Sequence, residues 1–416
     1  MSFLSTFSAL SVNGFQNATG ANIPVANATI IYPPNAFSGQ FFGSDLELTK
    51  SGNALVVGTE QGNIAYVYAN IANTWTLDSS LTANANISYG VALYFGSTVS
   101  INEYGNIVAI GAPGADVGVR TGAGAVFVYE KISNAWSQKA KIELANNNTN
   151  DFFGFSVSLN NEGNILLVSA PGKSHIPNYD GSVFLFTSSN TSTWTQYNEL
   201  INPDTANTGN LFGQYVDLAG NANLSNTSTI VYTVSNPATG PFSSKAYICR
   251  NNSIEYTYAS LSIDGTGQPE SVAINESGNT AIFGLPYTPN IIGQRYGEIQ
   301  VYKYANASWS LNQTLTDPSR LIDASFLGYR SDISNNGNTI IGRGIGTIFG
   351  GSGGNYTASF TFANSTYSQS TTFVPPIGNT YYRNISIDGN GNIFASGSTV
   401  TSGPSQLLGQ VLIINI

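Results

Sequence analysis

Short alternating and continuous apolar segments recur along the whole chain, and none of them sustains a helical 3.6-residue period. In the stretch 94–144, polar–apolar alternation predicts a strand over Thr98–Ile101 and the apolar run at Ile107–Gly111 predicts a second. The Asn102-Glu103-Tyr104-Gly105-Asn106 hairpin joins them, and its Gly supplies a positive φ. A third strand is expected over Ala125–Tyr129. A fourth and more polar one, suited to an outer edge, is expected from Trp136 to Leu144. The second of these is apolar at every position, as a strand covered on both faces must be.

The block repeats. FFGFSVSLNNEGNILLVSAPG opens the copy at 152–200, and FFGSDLELTKSGNALVVG opens the one at 41–81. Weaker copies follow at 211–261, 268–315, 326–374 and 381–416. Turn glycines at Gly52, Gly105, Gly163, Gly278, Gly337 and Gly391 set a mean spacing of about 56 residues, with one irregular copy near Gly220. Seven such units fill residues 26–416. Four antiparallel strands per unit, repeated radially, predict an all-β, seven-bladed β-propeller of four-stranded blades. The last unit has segments for only three strands, Ile385–Ile387, Ile393–Ser396 and Gln410–Ile416. An N-terminal strand at about 28–32 is expected to supply the fourth and close the ring, leaving residues 1–25 as an arm.

The pairs Phe42-Gly43, Phe95-Gly96, Phe153-Gly154 and Phe212-Gly213, with Gly111-Ala112-Pro113 and the degenerate Ser169-Ala170-Pro171, resemble the FG-GAP repeat. That resemblance implies the propeller of integrin α-subunits and related surface proteins. It also implies a comparison that this chain fails. Integrin-type repeats often hold calcium in an acidic loop between the first two strands, whereas here those loops read TKSGN, NEYGN, NNEGN, NESGN, SNNGN and DGNGN. One carboxylate at most is too few for a cation that takes six to eight oxygens. The loops are expected to be metal-free turns, with Asp388-Gly389-Asn390-Gly391-Asn392 the nearest candidate, and no cofactor is expected.

Composition narrows the function classes. Only 9% of residues are charged, against roughly 25% in ordinary globular chains. Fourteen Lys+Arg against 23 Asp+Glu give a net charge of −9 and no basic cluster, which argues against nucleic acid. A single Cys, Cys249, excludes an internal disulfide and reads as a buried thiol. No apolar run approaches the ~18 residues of a membrane helix, and the first residues lack the basic flank of a signal peptide. Membrane insertion is therefore not expected.

The four tryptophans Trp75, Trp136, Trp194 and Trp309 share one repeat position. They are expected to pack blade on blade rather than stack on sugars, as are the Phe-Gly pairs, whose Gly is expected to let inner strands crowd the axis. His175 lies in a polar loop with no nucleophile motif beside it, and the sialidase-type Asp box is absent. The tight turns share one face of the disc. The longer connections at 112–123, 171–181, 236–244, 285–297, 343–355 and 398–409 share the other, where propellers place ligands. Candidate binding residues on that face are Asp116, Arg120, Lys173, His175, Tyr179, Asp180, Tyr287, Arg295 and Arg343. Asn190 and Asn306 sit in exposed turns as candidate glycan acceptors.

The expected function is a non-enzymatic binding or structural module of a surface assembly, in a virion or extracellular layer, making protein, self-assembly or glycan contacts. The alternative is a carbohydrate-active propeller, either lectin or hydrolase. Equivalent aromatic pockets between blades would favour the lectin, and a central acidic cluster the hydrolase.

Overall fold

The computed structural model describes residues 15–16, 22–23, 28–35, 39–83, 93–175, 178–179, 181–202, 212–223, 231–236, 245–251, 256–262, 269–288, 296–317, 326–346, 354–373, 380–400 and 409–415. Among these residues there are seven four-stranded antiparallel sheets and two short two-stranded ribbons. The fold is an all-β propeller whose blades each run A-B-C-D from the axis outward. Blade 1 comprises Phe42–Leu48, Ala54–Thr59, Ile64–Ile71 and Thr74–Leu81. Blade 2 comprises Thr98–Ile101, Ile107–Ala112, Ala125–Ile132 and Ala135–Ile142. Blade 3 comprises Val157–Leu159, Ile165–Ala170, Ser182–Ser188 and Trp194–Ile201. Blade 4 comprises Val216–Leu218, Val231–Asn236, Lys245–Asn251 and Tyr256–Ser262. Blade 5 comprises Ser271–Ile274, Thr280–Leu285, Glu298–Ala305 and Ser308–Leu315. Blade 6 comprises Arg330–Ile333, Thr339–Gly346, Gly354–Ala363 and Thr366–Phe373.

The last sheet is assembled from both ends of the chain. Thr380–Ile387, Ile393–Val400 and Gln410–Asn415 supply its A, B and C strands. Ala28–Ile31 supplies D, pairing antiparallel from Ala28 opposite Ile414 to Ile31 opposite Val411. The free edge of the C-terminal strand is thereby covered, and opening the ring would cost that whole ladder. Of the arm at 1–25, the described residues are Phe15–Gln16 paired with Asn22–Ile23. The rest of the arm lies outside the described residues.

Apolar burial is concentrated between blades rather than at the axis. Phe95 is fully buried in a cluster that joins Val56, Ala65 and Val67 of blade 1 to Val108, Ile110 and Phe127 of blade 2. Phe153, Phe212 and Phe42 occupy the same place at the next interfaces and at the closure. Each Phe meets an aromatic ring of strand C edge-on, at 5.3 Å for Phe95–Phe127 and 5.6 Å for Phe212–Tyr247. The tryptophans half-bury against these same clusters. Trp136 also donates its Nε1–H to Asp78 Oδ2 of the preceding blade at 2.7 Å.

The glycine of the Phe-Gly pair does not crowd the axis, contrary to the expectation from sequence. Gly154 has φ +89°, and its carbonyl oxygen lies against Gly111 of strand B in the blade before it. A Cβ on Gly111 would stand 2.1 Å from Gly154 O, and Gly58 and Gly397 meet Gly96 O and Gly43 O at 2.0 Å. The Gly of the Phe-Gly pair and the Gly of the Gly-Ala-Pro segment are thus two sides of one interblade contact. Substituting Gly111→Ala is expected to destabilise the chain by about 3 kcal/mol or more, because backbone must move on both sides of the interface. Gly118→Asn, at φ +62° with nothing within 4 Å of the added Cβ, should change stability by less than about 1 kcal/mol. Urea denaturation of the two variants measures the difference.

Candidate functional site at the propeller axis

The A strands stand side by side around the axis, and each leaves one backbone edge unpaired toward it. Their residues alternate, so every second side chain points into the channel. The penultimate residue of each A strand forms one ring of seven positions: Glu47, Ser100, Ser158, Asp217, Ala273, Asp332 and Ser386.

This ring is a belt of edge caps. The Ile101 N–H donates to Glu47 Oε2 at 3.0 Å, Leu159 N–H to Ser100 Oγ at 3.0 Å, and Leu218 N–H to Ser158 Oγ at 3.1 Å. The series continues with Ile274 N–H to Asp217 Oδ2 at 2.8 Å, Ile387 N–H to Asp332 Oδ2 at 2.9 Å, and Leu48 N–H to Ser386 Oγ at 3.1 Å. Each bond runs from one blade to the side chain of the blade before it. Ala273 cannot accept, and Asp332 compensates by taking the Ile333 N–H on its other oxygen at 2.7 Å. A second ring two residues earlier repeats the device in part. Val99 N–H donates to Asp45 Oδ2 at 2.7 Å, and Val216 N–H to Ser156 Oγ at 3.3 Å.

The belt gathers charge at the channel wall. Burial pushes the Glu47 carboxyl up to about 8, against the pull of Lys50 and of its hydrogen bonds from Ser100 and Ile101. Burial likewise raises Asp217 to about 6, opposed by Lys50 and assisted by the nearby Asp332. Asp45 and Asp332 are also raised, chiefly by burial. Burial of the Lys50 ammonium works against its charge, but the field of Asp332, Glu47, Asp217 and Glu103 outweighs this and holds its pKa above the ordinary value. Lys50 therefore stays protonated among carboxyls whose own pKa values are raised.

Above the belt the channel opens into a cavity of about 890 Å³ on the side where strands A begin. Its wall carries Phe41, Tyr94, Phe152, Phe155 and Tyr329, together with Glu60, Glu270, Arg330 and Arg343. Arg330 stacks on the rings of Tyr215 and Tyr329 at 4.7 and 5.1 Å and donates to the Glu270 carbonyl at 2.8 Å. Burial raises the Glu270 carboxyl, with Arg330 opposing it.

Of the loop-face residues expected to bind, only Arg343 lines this cavity. It belongs to strand B of blade 6, which extends to Gly346, and not to a loop as expected. Lys173 is a correction: its ammonium is buried against Asp151 at 3.0 Å and donates to the Asn146 carbonyl, so it pins its loop instead of facing a ligand. Asp116 accepts the Gly122 N–H at 3.0 Å and shapes its own loop. Arg120 is exposed beside the Val117–Arg120 bridge, and Tyr287 packs edge-on against Phe326 at 5.9 Å. His175 and Tyr179 sit in a two-residue ribbon, with His175 opposite Asn178 and Tyr179 opposite Ser174. Asp180 and Arg295 lie outside the described residues. Cys249 is buried in strand C of blade 4.

Asparagine serves the turns. Asn102, Asn160 and Asn275 each accept two backbone N–H groups four and five residues on, closing the A–B hairpins. Asp388 does the same for Asn392 and Ile393 at 2.7 and 2.9 Å, so the nearest calcium-loop candidate acts as a hairpin cap. Among the described residues no group of three or more His, Cys, Asp or Glu is placed to hold a metal ion. Asn306 and Ala307 take the left-handed conformations of a tight C–D turn, which accounts for Asn at that sequon. Asn190 is exposed and accepts the Thr193 N–H at 2.8 Å.

An FG-GAP repeat family model matches residues 136–186. No curated protein matches the chain. Among solved structures the chain resembles the hydrazine synthase of Kuenenia stuttgartiensis, at 10% identity and TM-score 0.55, over 87% of this chain and 93% of that one. It also resembles the Cps50 (Swd1) β-propeller domain of Myceliophteria thermophila, at 9% identity and TM-score 0.58, over 93% and 99%. A third likeness is to the Dos1 propeller, at 8% identity and TM-score 0.55, over 92% and 93%. At these identities the likeness concerns the fold.

Two outcomes follow from the belt. The folded chain retains protons on Glu47 and Asp217 that the unfolded chain has already lost between about pH 4 and the raised values of about 8 and 6. Their contribution to stability is therefore full below about pH 4 and is lost as pH rises through about 6 for Asp217 and about 8 for Glu47, and Glu47→Gln flattens the upper part of that decline. Denaturant midpoints measured across pH check this. Ala273→Ser offers a second acceptor to an Ile333 N–H that Asp332 already holds and is expected to change stability by less than about 1 kcal/mol at constant m-value.

Proposed function

We propose that the chain is a non-enzymatic binding and structural propeller, a seven-bladed integrin-like disc that works within a surface assembly such as a virion or an extracellular layer. The observation that carries this reading is the commitment of the axial carboxylates. Glu47, Asp217 and Asp332 each hold a backbone N–H of the following blade, and Ser100, Ser158 and Ser386 do the same at three other ring positions. Ser, Asp and Glu at six of the seven ring positions share the capacity to accept a hydrogen bond and not an acidity suited to proton transfer. The sparse surface charge supports the same reading, since a surface with 9% charged residues suits lasting contact with neighbours over steering of small ions. In this account the loop-rich face and the N-terminal arm make the contacts, with protein or glycan.

A second reading has one observation in its favour. A carboxyl raised to about 8, as Glu47 is, stays protonated at neutral pH as a glycosidase general acid must. Hydrolysis of aryl glycosides that is lost in Glu47→Gln would support it.

The arm provides the test of the first reading. Deleting residues 2–25 leaves Ala28–Ile31 to close the last blade, so the ring should still fold with its thermal midpoint little changed. Native mass spectrometry should then show that self-association of the intact chain is lost. Unchanged association in a folded truncation rejects the arm as the tether.

A further inference from the structure

We infer that the axial cavity is a binding site for a neutral oligosaccharide of two to four sugar units, stacked on Tyr94 and Phe155. This deepens the binding-module reading and rests on it. The first support is backbone conformation. The residues before Phe42-Gly43, Phe95-Gly96 and Phe153-Gly154, and Phe326 before Leu327-Gly328, have a left-handed φ: +53° at Phe41, +52° at Tyr94, +54° at Phe152 and +44° at Phe326. Asn or Gly takes this conformation with little penalty, whereas a bulky side chain is strained there. Aromatic residues occupy these four places, while the sequence has Leu at the corresponding position before Phe212-Gly213. Strain kept at equivalent positions around one opening points to use of the side chains.

Packing explains part of this set. Phe326 meets Tyr287, and Phe152 lies against Gly172. Tyr94 has no such ring partner among the described residues and is 36% exposed, and Phe155 is 38% exposed. Both line the cavity.

The lining then selects the ligand class. About 890 Å³ is large enough for a short oligosaccharide. The lining mixes Lys50, Arg330 and Arg343 with Asp45, Glu47, Glu60, Asp217, Glu270 and Asp332, so a simple cation or anion meets like charge as well as opposite charge there. A purely apolar ligand would strip water from those groups without replacing their hydrogen bonds. A neutral sugar offers an apolar ring face to the aromatics and hydroxyls, which donate and accept, to the carboxyls and guanidinium groups. The site is single, at the axis. It differs from the repeated interblade pockets expected of a lectin.

The test uses the full chain on an array of neutral, acidic and amine-bearing di- to tetrasaccharides. The captured sugar is then titrated calorimetrically into the wild type, Tyr94→Asn and Phe155→Ala, with thermal melts alongside. Capture of a neutral sugar is expected, with roughly tenfold weaker binding in each variant, the size of one lost stacking contact. Tyr94→Asn should melt no lower than the wild type, because Asn suits the left-handed backbone. A blank array, a preference for charged sugars, or capture that neither variant weakens overturns the inference. A blank array with self-association intact rejects the sugar site and leaves the binding module standing.

Discussion

A propeller turns the inner edge of every sheet toward its own axis, where no further strand can pair with it. Backbone N–H groups left there without partners would each cost about 1–3 kcal/mol. The chain meets this constraint with side chains from the neighbouring blade. Because each cap crosses an interface, satisfying one blade's edge also fixes its position against the previous one. The bond from Leu48 to Ser386 joins blade 1 to the last blade, so the belt closes at the same place as the strand contributed by Ala28–Ile31.

The interblade surfaces follow from the same demand for close approach. Phe42, Phe95, Phe153 and Phe212 fill the space between sheets. The Gly111–Gly154 and Gly58–Gly96 contacts set how near those sheets can come. With the sheets so placed, the penultimate side chains of the A strands can span to the next edge. The cost appears as charge: carboxyls used as caps are half-buried, raised in pKa and dependent on Lys50, the one lysine brought among them.

Much of the fold was legible in the sequence, since the Phe-Gly pairs, the turn glycines and the tryptophans recur in register. Strand B of blade 2 was expected over Ile107–Gly111 and spans Ile107–Ala112. Strand C was expected to end at Tyr129 and continues to Ile132, because its polar outer residues are half-exposed and do not read as apolar. The axial site was much less visible. Its ring positions hold Glu, Ser, Ser, Asp, Ala, Asp and Ser, which share hydrogen-bond acceptance in six cases but no residue type. A signal was present in the segments DLEL, TVSI, SVSL, VDL and NISI, where a polar residue stands between two apolar ones at the end of five of the seven A strands. Ring closure alone brings Glu47, Asp217 and Asp332 to one place. Lys173 and Asp116 show how polar loop residues that look available also hold their own loops.

The central claim is that side chains of one blade protect the edge amides of the next. Residue-resolved amide hydrogen exchange tests it most directly. The amides of Leu48, Ile101, Leu159, Leu218, Ile274 and Ile387 should exchange slowly despite belonging to no strand ladder on that side. In Asp217→Ala, protection should fall at Ile274 while Leu159 and Ile101 keep theirs. Rapid exchange at all six amides in the wild type, or an unchanged Ile274 in the variant, would contradict the account.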